Sequence, residues 1–368
     1  MGASDGCLTA GALSSCAEAL KAAFAGQWLP EKPASCLEKI VQSGFDLLPL
    51  PGAGQTLERW RALAAVAAQD LSLAKLYEGH TDALAIMAEL GSPSISGSDR
   101  FAADAKSLAG KPAIWGVWAS EVPGGRVEIC PMSQADDGRV LLNGEKQWCS
   151  GANTGSHALL TAWHPDNKRP QLVRLQLHQS GVDVSSDAWR AVGMCESSSL
   201  RVRLKNAVAY PVGLPGQYLS RPGFWQGGAG VAACWYGGAT AVAVALHRAT
   251  GKSNVASNPF RAAAAGRVDV LLRASSLMLR DTACWIDSHP DEDASGMALQ
   301  TRLFVAQCAL QVLEETGAAL GAAPYCHDAP FAKAAADLPV FIRQSHGDRD
   351  YAQLAEKLQA RGDRPWAL

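Results

Sequence analysis

The chain has 368 residues, of which 48% are hydrophobic and 18% are charged. This length and composition are typical of a globular protein with two or three domains, and they exclude an intrinsically disordered chain. The 33 basic residues nearly balance the 35 acidic ones, which leaves a net charge of −2. Because the sequence contains no basic run, we expect no nucleic-acid partner.

The N-terminus and the cysteines both bear on the cell compartment. The chain starts MGASDGCLTA, without the basic and apolar segments of a secretion signal, so we expect a cytoplasmic protein. The 10 cysteines are scattered and form no Cys-x-x-Cys pair. This spacing favours reduced thiols over a zinc site or a disulfide framework.

One segment, 228–246, carries no charged residue and is long enough to cross a membrane. It consists mostly of Ala and Gly, however, and no belt of aromatic residues flanks it. Small residues allow helices to pack closely, so we interpret this segment as a helix buried inside a bundle. We therefore expect no membrane span.

The first hundred or so residues are predicted to be helical. A run after Pro51–Gly54 has the spacing of an amphipathic helix, and Thr56 precedes it as a candidate N-cap. The residues on its apolar face are Leu57, Trp60, Leu63, Ala64 and Ala67. A second helix, rich in Ala and Leu, is predicted over 71–90 and ends before Gly91.

Near Pro112 the pattern changes to short β-type runs. The segment 139–142 is followed by Asn143-Gly144, a dipeptide typical of tight hairpin turns. Over 200–204, hydrophobic residues alternate with arginines, as they do in a half-buried strand. We therefore predict an antiparallel β-barrel or sandwich domain.

Helical composition returns after Pro222. Four segments rich in Ala, Leu and Val predict an up-and-down bundle, and they cover 228–250, 260–287, 295–322 and 330–360. The predicted fold class is thus α+β with several domains. These are an N-terminal α-helical domain (1–112), a middle β domain (113–213) and a C-terminal four-helix bundle (214–368).

Two segments of the predicted β domain resemble flavin-site segments of the acyl-CoA dehydrogenase superfamily. The first reads WASE at 118–121, and the second reads LNGEKQWCSGA at 142–152. The second is similar to the family pattern L-N-G-x-K-x-W-I-[ST]-N-G. Residues 193–211 resemble the family pattern G-x-R-x-S-x-T-x-x-V-x-F-x-x-V-x-V-P. Residues 68–74 resemble the family's helix that precedes the β domain. The resemblance covers most of the chain and implies the acyl-CoA dehydrogenase fold.

The resemblance also implies an FAD site. It places Trp148 and Ser150 at the N5 edge of the flavin, and Ala119 and Ser120 at its pyrimidine edge. An indole offers a stacking wall, and a hydroxyl can hydrogen-bond to the polar rim of the ring. A Trp two residues before a Ser would, by itself, equally fit a strand end packed in a core. The implied cofactor contacts are Ala119, Ser120, Trp148, Cys149, Ser150 and Ser345.

The sequence departs from the family at the catalytic base. Dehydrogenation of an acyl thioester needs a carboxylate to accept a proton, either near the C-terminus or early in the bundle. The C-terminal stretch 338–347 contains neither Asp nor Glu and places Arg343 at the base position. The second location falls at Gly227-Gly228, which is also without a carboxylate. Arginine stays protonated at neutral pH and cannot act as the base.

His346 is the candidate catalytic replacement, because a histidine exchanges a proton near pH 7. An alternative interpretation is a salt-bridged helix start with His346 partly solvated. The charged residues of that helix start would be Arg343, Asp348, Arg349 and Asp350.

The family's contacts with the ADP half of FAD are altered as well. Residues 253–258 lack the expected Arg and Phe, and Glu314 and Glu315 replace two glycines of the family pattern. Two carboxylates there would repel a pyrophosphate. We therefore expect that FAD binds differently, that a shorter flavin such as FMN binds, or that the site holds no flavin.

Three functions remain open. The first is an acyl-CoA dehydrogenase-like flavin oxidoreductase acting on the CH–CH group of an acyl thioester such as acyl-CoA. The second is a flavin-dependent monooxygenase or oxidase of the same fold, which the missing base and His346 would suit. The third is a catalytically silent homologue that binds acyl-CoA or a protein partner. The resemblance favours the first and implies a homodimer or homotetramer.

Overall fold

The structure is a computed structural model that describes residues 14–26, 32–91, 112–121, 126–131, 138–164, 169–185, 189–251, 258–359 and 366. In chain order these residues form helices, then strands, then helices again, which confirms an α+β fold. Helices α1–α4 span Ser14–Gly26, Pro33–Gln42, Thr56–Ala67 and Leu71–Leu90. Strands β1–β7 span Trp115–Trp118, Val127–Pro131, Val140–Cys149, His157–Trp163, Pro170–Gln176, Val182–Ser185 and Leu200–Val212. Helices α5–α12 span Gln217–Ser220, Gly223–Gly228, Val231–Gly251, Pro259–Ser288, Ser295–Leu320, Ala323–His327, Ala329–Ile342 and Asp348–Gln359.

A single hydrophobic core joins the N-terminal and C-terminal helices, with Leu63 of α3, Trp235 of α7 and Leu338 of α11 among its members. Helix α7 lies so close to α3 that a Cβ atom on Gly237 would be 2.3 Å from the Ala64 carbonyl oxygen. The predicted division into three domains therefore stays a prediction, because one core spans the first and the last of them.

The uncharged segment lies within this core. Among the described residues, Gly223–Gly251 is the one stretch whose length and hydropathy would allow it to cross a membrane. However, 72% of its most apolar window is buried inside the protein. A helix buried to this extent belongs to the protein core, which agrees with the predicted bundle helix.

The N-terminus of α3 is capped from a distant part of the chain. The Asp287 carboxylate, at the end of α8, accepts hydrogen bonds from the Thr56 N–H (3.0 Å) and the Gly54 N–H (3.0 Å). The Thr56 hydroxyl also donates to Asp287, at 2.6 Å. The prediction that Thr56 caps this helix is therefore wrong. An acidic side chain at a helix N-terminus satisfies free N–H groups and is favoured by the helix dipole.

The strands form one sheet that closes into a small barrel. Their order is β1-β4-β2-β3-β7-β5, β6 pairs with β7, and a further pairing of β4 with β5 closes the ring. Most pairings are antiparallel, but β1 runs parallel to β4, with Trp115 opposite His157. The prediction of an antiparallel domain is thus wrong for two pairings of β4, since β2 also runs parallel to it, with Glu128 opposite Trp163. Parallel pairing is possible because two other strands, β2 and β3, separate β1 from β4 along the chain.

Strand β3 continues through Asn143-Gly144, so the predicted hairpin turn there is wrong. The register against β7 shifts at this point. The Asn143 side chain accepts from the Asn206 N–H at 2.9 Å, and Asn206 adopts a left-handed φ of 53°. The dipeptide therefore faces a bulge in the neighbouring strand, where its amide satisfies a main-chain donor.

The predicted fourth bundle helix, 330–360, consists of two helices, α11 and α12. Between them, Gly347 has a φ of +56°, which favours glycine. The Asp350 carboxylate accepts from the Ser345 hydroxyl (3.0 Å) and from the His346 N–H (2.9 Å). These bonds stabilise the turn and interrupt the helix.

His157 gives the fold a specific dependence on pH. It is buried in β4, where its ring stacks on Trp115 with centroids 4.6 Å apart. Burial, with a smaller effect of His178, lowers the pKa of His157 to about 4. An unfolded histidine titrates near pH 6.5, so its stabilising contribution is complete above that pH and is lost as the pH falls towards 4.

We expect the free energy of unfolding to decrease by up to about 3 kcal/mol between pH 6.5 and 4 because of this residue. Urea unfolding of the wild type and of His157→Gln at several pH values would measure the effect. The variant should lose clearly less stability over that range. Parallel pH profiles for the two proteins would contradict the assignment.

Candidate functional site

A large exposed indole marks the end of β3. The Trp148 side chain is 57% exposed, although β3 runs through the barrel core. Its φ is +60°, an unusual conformation for a bulky residue that costs about 1–3 kcal/mol. Trp189 packs edge-to-face against it, with ring centroids 6.1 Å apart. A strained backbone that presents an aromatic ring to solvent is typical of a ligand-binding surface.

Hydroxyl groups lie two residues further along. The Ser150 Oγ is 2.9 Å from the Ser199 Oγ, which is 3.0 Å from the Ser197 Oγ. On the other side, the Trp118 indole N–H donates to the Ser150 carbonyl oxygen at 3.0 Å. These contacts fix Ser150 between β1 and the loop that precedes β7. We call Trp148, Ser150 and Ser199 the rim site.

An ion pair between a buried ammonium and a partly exposed carboxylate positions the end of β1. The Lys146 ammonium is fully buried, 2.8 Å from the Glu121 carboxylate and 2.7 Å from the Thr161 hydroxyl. Burial lowers the pKa of Lys146, although Glu121 acts in the opposite direction. Burial also opposes the charge on Glu121, but hydrogen bonds from Lys146 and Thr161 lower the pKa of Glu121 overall. Glu121 is thus a charged structural partner.

The predicted cofactor contacts fall into two groups. Ala119 and Ser120 directly follow β1, whose last residue, Trp118, contacts Ser150. The Ser120 side chain is exposed. The Cys149 side chain, in contrast, is fully buried in the barrel core, and burial raises its pKa well above the ordinary value. The Cys149 side chain is therefore a core residue, and its contact with a cofactor stays a prediction.

Arg343, Ser345 and His346 lie together at the turn between α11 and α12. Arg343 is exposed, and His346 is 66% exposed with its Nδ1 3.5 Å from the Asp350 carboxylate. Among the described residues, no hydrogen bond, ion pair or ring contact joins this turn directly to Trp148 or to the serines. The catalytic roles of Arg343 and His346 and the cofactor role of Ser345 stay predictions.

Sequence reasoning missed a carboxylate near the second base location. A Cβ atom on Gly227 would lie 3.0 Å from the Asp82 carboxylate of α4. Arg59 is 3.9 Å from the same group. Burial, followed by the negative charge of Glu78, raises the pKa of Asp82. No local pattern indicates this, because Asp82 lies far from Gly227 along the chain.

Ser199 and Trp189 were also missed as site residues. Three consecutive serines at 197–199, within the stretch that resembles the family, were the available signal.

At the predicted ADP contacts, Glu315 forms a 2.8 Å ion pair with Arg267 of α8. Residues 253–257 lie outside the described residues. Where the structure describes the chain, no group of His, Cys, Asp and Glu is arranged to hold a metal ion.

Solved structures with similar folds were found. TdsC from Paenibacillus sp. A11-2, in a complex with FMN and indole, matches with a TM-score of 0.75 and 17% sequence identity over 96% of this chain and 97% of TdsC. KijD3, in complex with FMN and a dTDP-linked amino keto sugar, matches with a TM-score of 0.74 and 17% identity over 97% of this chain and 94% of KijD3.

A third match is methanesulfinate monooxygenase MsuC from Pseudomonas fluorescens. Its TM-score is 0.75 at 16% identity, over 94% of this chain and 95% of MsuC. No family model matches the chain, and no curated protein matches it either. Together with the helix–sheet–helix order, these structures identify the acyl-CoA dehydrogenase fold. The chain has this fold along nearly its whole length.

The ion pair next to the rim site yields a stability prediction. Glu121→Gln leaves the buried Lys146 ammonium without its anionic partner. Because the Glu121 side chain is 36% exposed, solvent screens the pair in part, and we expect a loss of about 2 kcal/mol in the free energy of unfolding. Glu145→Gln is the matched control, since Glu145 pairs with arginines near the protein surface. It should cost less than about 1 kcal/mol. Urea unfolding at neutral pH measures both variants, and equal losses would refute the assignment.

Proposed function

We propose that this protein is a flavin-dependent oxidoreductase whose isoalloxazine ring lies against Trp148. The observation that carries the proposal is the exposed indole held in a left-handed conformation beside a pair of serine hydroxyls. A flavin ring is flat and apolar, with hydrogen-bonding atoms at its rim. The residues fit such a group, because the indole supplies a stacking wall and Ser150 supplies a hydroxyl for the rim.

The chain's own residues have distinct roles in this proposal. Trp148 packs against the ring and excludes water from one face. Ser150, oriented by Ser199 and by the Trp118 indole, hydrogen-bonds to the polar edge of the flavin ring. The ion pair of Lys146 and Glu121 holds the strands that bring these groups together. A bound flavin would supply the electron-transfer chemistry.

We infer FMN as the cofactor, in preference to FAD. The two glycines that would approach the FAD pyrophosphate are glutamates here, and Glu315 is already paired with Arg267. Added carboxylates disfavour a second phosphate-linked group nearby. TdsC and KijD3, both of the same fold, are described in complexes with FMN.

For the reaction, we propose oxidation of the CH–CH group of an acyl thioester, with Asp82 as the proton acceptor. The stretch 338–347 contains no carboxylate, whereas Asp82 adjoins Gly227, near which the resemblance places the alternative base. The raised pKa of Asp82 supports this role, because a base works best with a pKa near the working pH.

A second candidate function is flavin-dependent monooxygenation of a small molecule. It is favoured by the lack of a carboxylate over 338–347 and by the exposed His346, which can exchange a proton with a substrate. TdsC is described as a dibenzothiophene monooxygenase and MsuC as a methanesulfinate monooxygenase.

Flavin titration tests the cofactor proposal. We expect the purified protein to bind FMN more tightly than FAD, as measured by quenching of flavin fluorescence. Trp148→Ala should raise the Kd for FMN about two- to tenfold, because ring stacking contributes about 0.5–1.5 kcal/mol. Trp366→Ala removes another exposed indole and should leave the Kd unchanged. Unaltered FMN binding by Trp148→Ala would sink the proposal.

The reaction is tested with the flavin-loaded protein. Under anaerobic conditions, an acyl-CoA should bleach the visible flavin absorption, and Asp82→Asn should slow the bleaching about 100-fold or more. Asp82→Asn should still bind FMN normally. If acyl-CoA causes no bleaching, but the protein with supplied reduced FMN and oxygen converts an organosulfur or aromatic substrate to its oxygenated product, the monooxygenase function is correct. His346→Gln should then lower the rate of product formation.

A further inference from the structure

A charged cluster connects α4, α11 and the loop before β7. The Lys333 ammonium of α11 is 2.8 Å from Asp70, 2.6 Å from Asp337 and 3.5 Å from Glu196. Asp70 is also the N-cap of α4, where it accepts from the Leu73 N–H at 2.7 Å. Burial opposes the charge on Lys333, but Asp70 and Asp337 together raise its pKa above the ordinary value. The ammonium therefore stays charged and holds these elements together.

Asp337 uses its second oxygen to hold the loop. Its carboxylate is 1% exposed and accepts a hydrogen bond from the Met194 N–H at 2.5 Å. Met194 and Ser198 both have left-handed φ values, 60° and 46°, which are strained for residues other than glycine. The loop also approaches α11 closely, since a Cβ atom on Gly193 would lie 2.0 Å from the Ala336 carbonyl oxygen.

The same loop carries Ser199 of the rim site and the nearby Ser197. The Ser197 hydroxyl donates to the Met194 carbonyl oxygen at 2.8 Å and lies 3.0 Å from the Ser199 hydroxyl. The Ser199 hydroxyl in turn contacts Ser150 at 2.9 Å. In addition, the Gly151 N–H donates to the Ser197 carbonyl oxygen at 2.9 Å. A continuous series of polar contacts thus runs from Asp337 to Ser150.

We propose that Asp337, held in place by Lys333, is a positioning residue for the flavin. It fixes the strained loop 193–199 on α11 and thereby sets where the hydroxyls of Ser199 and Ser150 meet the ring. The inference rests on the proposed flavin site. Loss of the hydrogen bond from the Met194 N–H to Asp337 would let loop 193–199 relax. The hydroxyls of the rim site would then shift, although the Trp148 side chain is unchanged.

Two substitutions of one residue separate this role from general stability. Asp337→Ala removes both contacts of the carboxylate, whereas Asp337→Asn keeps an acceptor oxygen for Met194 and gives up the charge. We expect Asp337→Ala to raise the Kd for FMN at least tenfold, and Asp337→Asn to stay within threefold of the wild type. Lys357→Met, which breaks the exposed ion pair with Asp293, should change the Kd by less than twofold.

Amide hydrogen exchange tests the same inference without any flavin. The Met194 and Gly151 amides should exchange at least tenfold faster in Asp337→Ala than in Asp337→Asn. Unchanged exchange at Met194 would overturn the positioning role, whether or not the wild type binds flavin. Faster exchange with unaltered FMN affinity would also overturn it. If the wild type binds neither FMN nor FAD, the proposed function fails, and the exchange data still decide how the loop is held.

A second variant covers the case in which Asp337→Ala does not fold. Gly193→Ala places a methyl group against the Ala336 carbonyl oxygen and pushes the loop from α11 without altering any charge. It should weaken FMN binding by a similar factor. If Gly193→Ala folds, shows faster Met194 exchange and binds FMN as the wild type does, the inference is wrong.

Discussion

The buried ammonium of Lys146 is the constraint on which the rest of the site depends. An unpaired charge inside the barrel would cost several kcal/mol, so the strands must keep Glu121 and Thr161 within hydrogen-bonding distance. This requirement sets the position of β3 relative to β1 and β4, with which it does not pair. Once that position is set, Trp148, two residues after Lys146, falls on the barrel rim, and Ser120, next to Glu121, lies just after the end of β1.

Polar side chains perform a comparable task between the helices. Asp287 of α8 caps α3, and Lys333 of α11 holds the cap residue of α4. Both contacts link segments that are distant along the chain, and the Asp287 and Asp70 carboxylates each accept from free N–H groups at a helix N-terminus. The small residues of α7 then allow the helices to pack at short distances. The mixed fold is therefore held by a common core and by a few well-placed charges.

Much of this fold could be predicted from the sequence, because its signals are local. The composition of 228–246 indicates a core helix, and the motif around Trp148 indicates the acyl-CoA dehydrogenase fold. Local signals failed where tertiary contacts override them. The Asn143-Gly144 dipeptide forms no turn because Asn206 of β7 supplies a bulge for its side chain. The break before α12 likewise depends on the Asp350 side chain, and the neighbourhood of Asp82 depends on packing between distant helices.

Ser150, Ser197 and Ser199 have one more property, which concerns the direction of their hydrogen bonds. The Ser197 hydroxyl donates to the Met194 carbonyl oxygen, so the hydrogen between Ser197 and Ser199 must come from Ser199. The hydrogen between Ser199 and Ser150 must then come from Ser150. The Ser150 oxygen therefore offers a lone pair at the surface and has no hydrogen left to donate. Such a surface suits a ligand atom that bears a hydrogen.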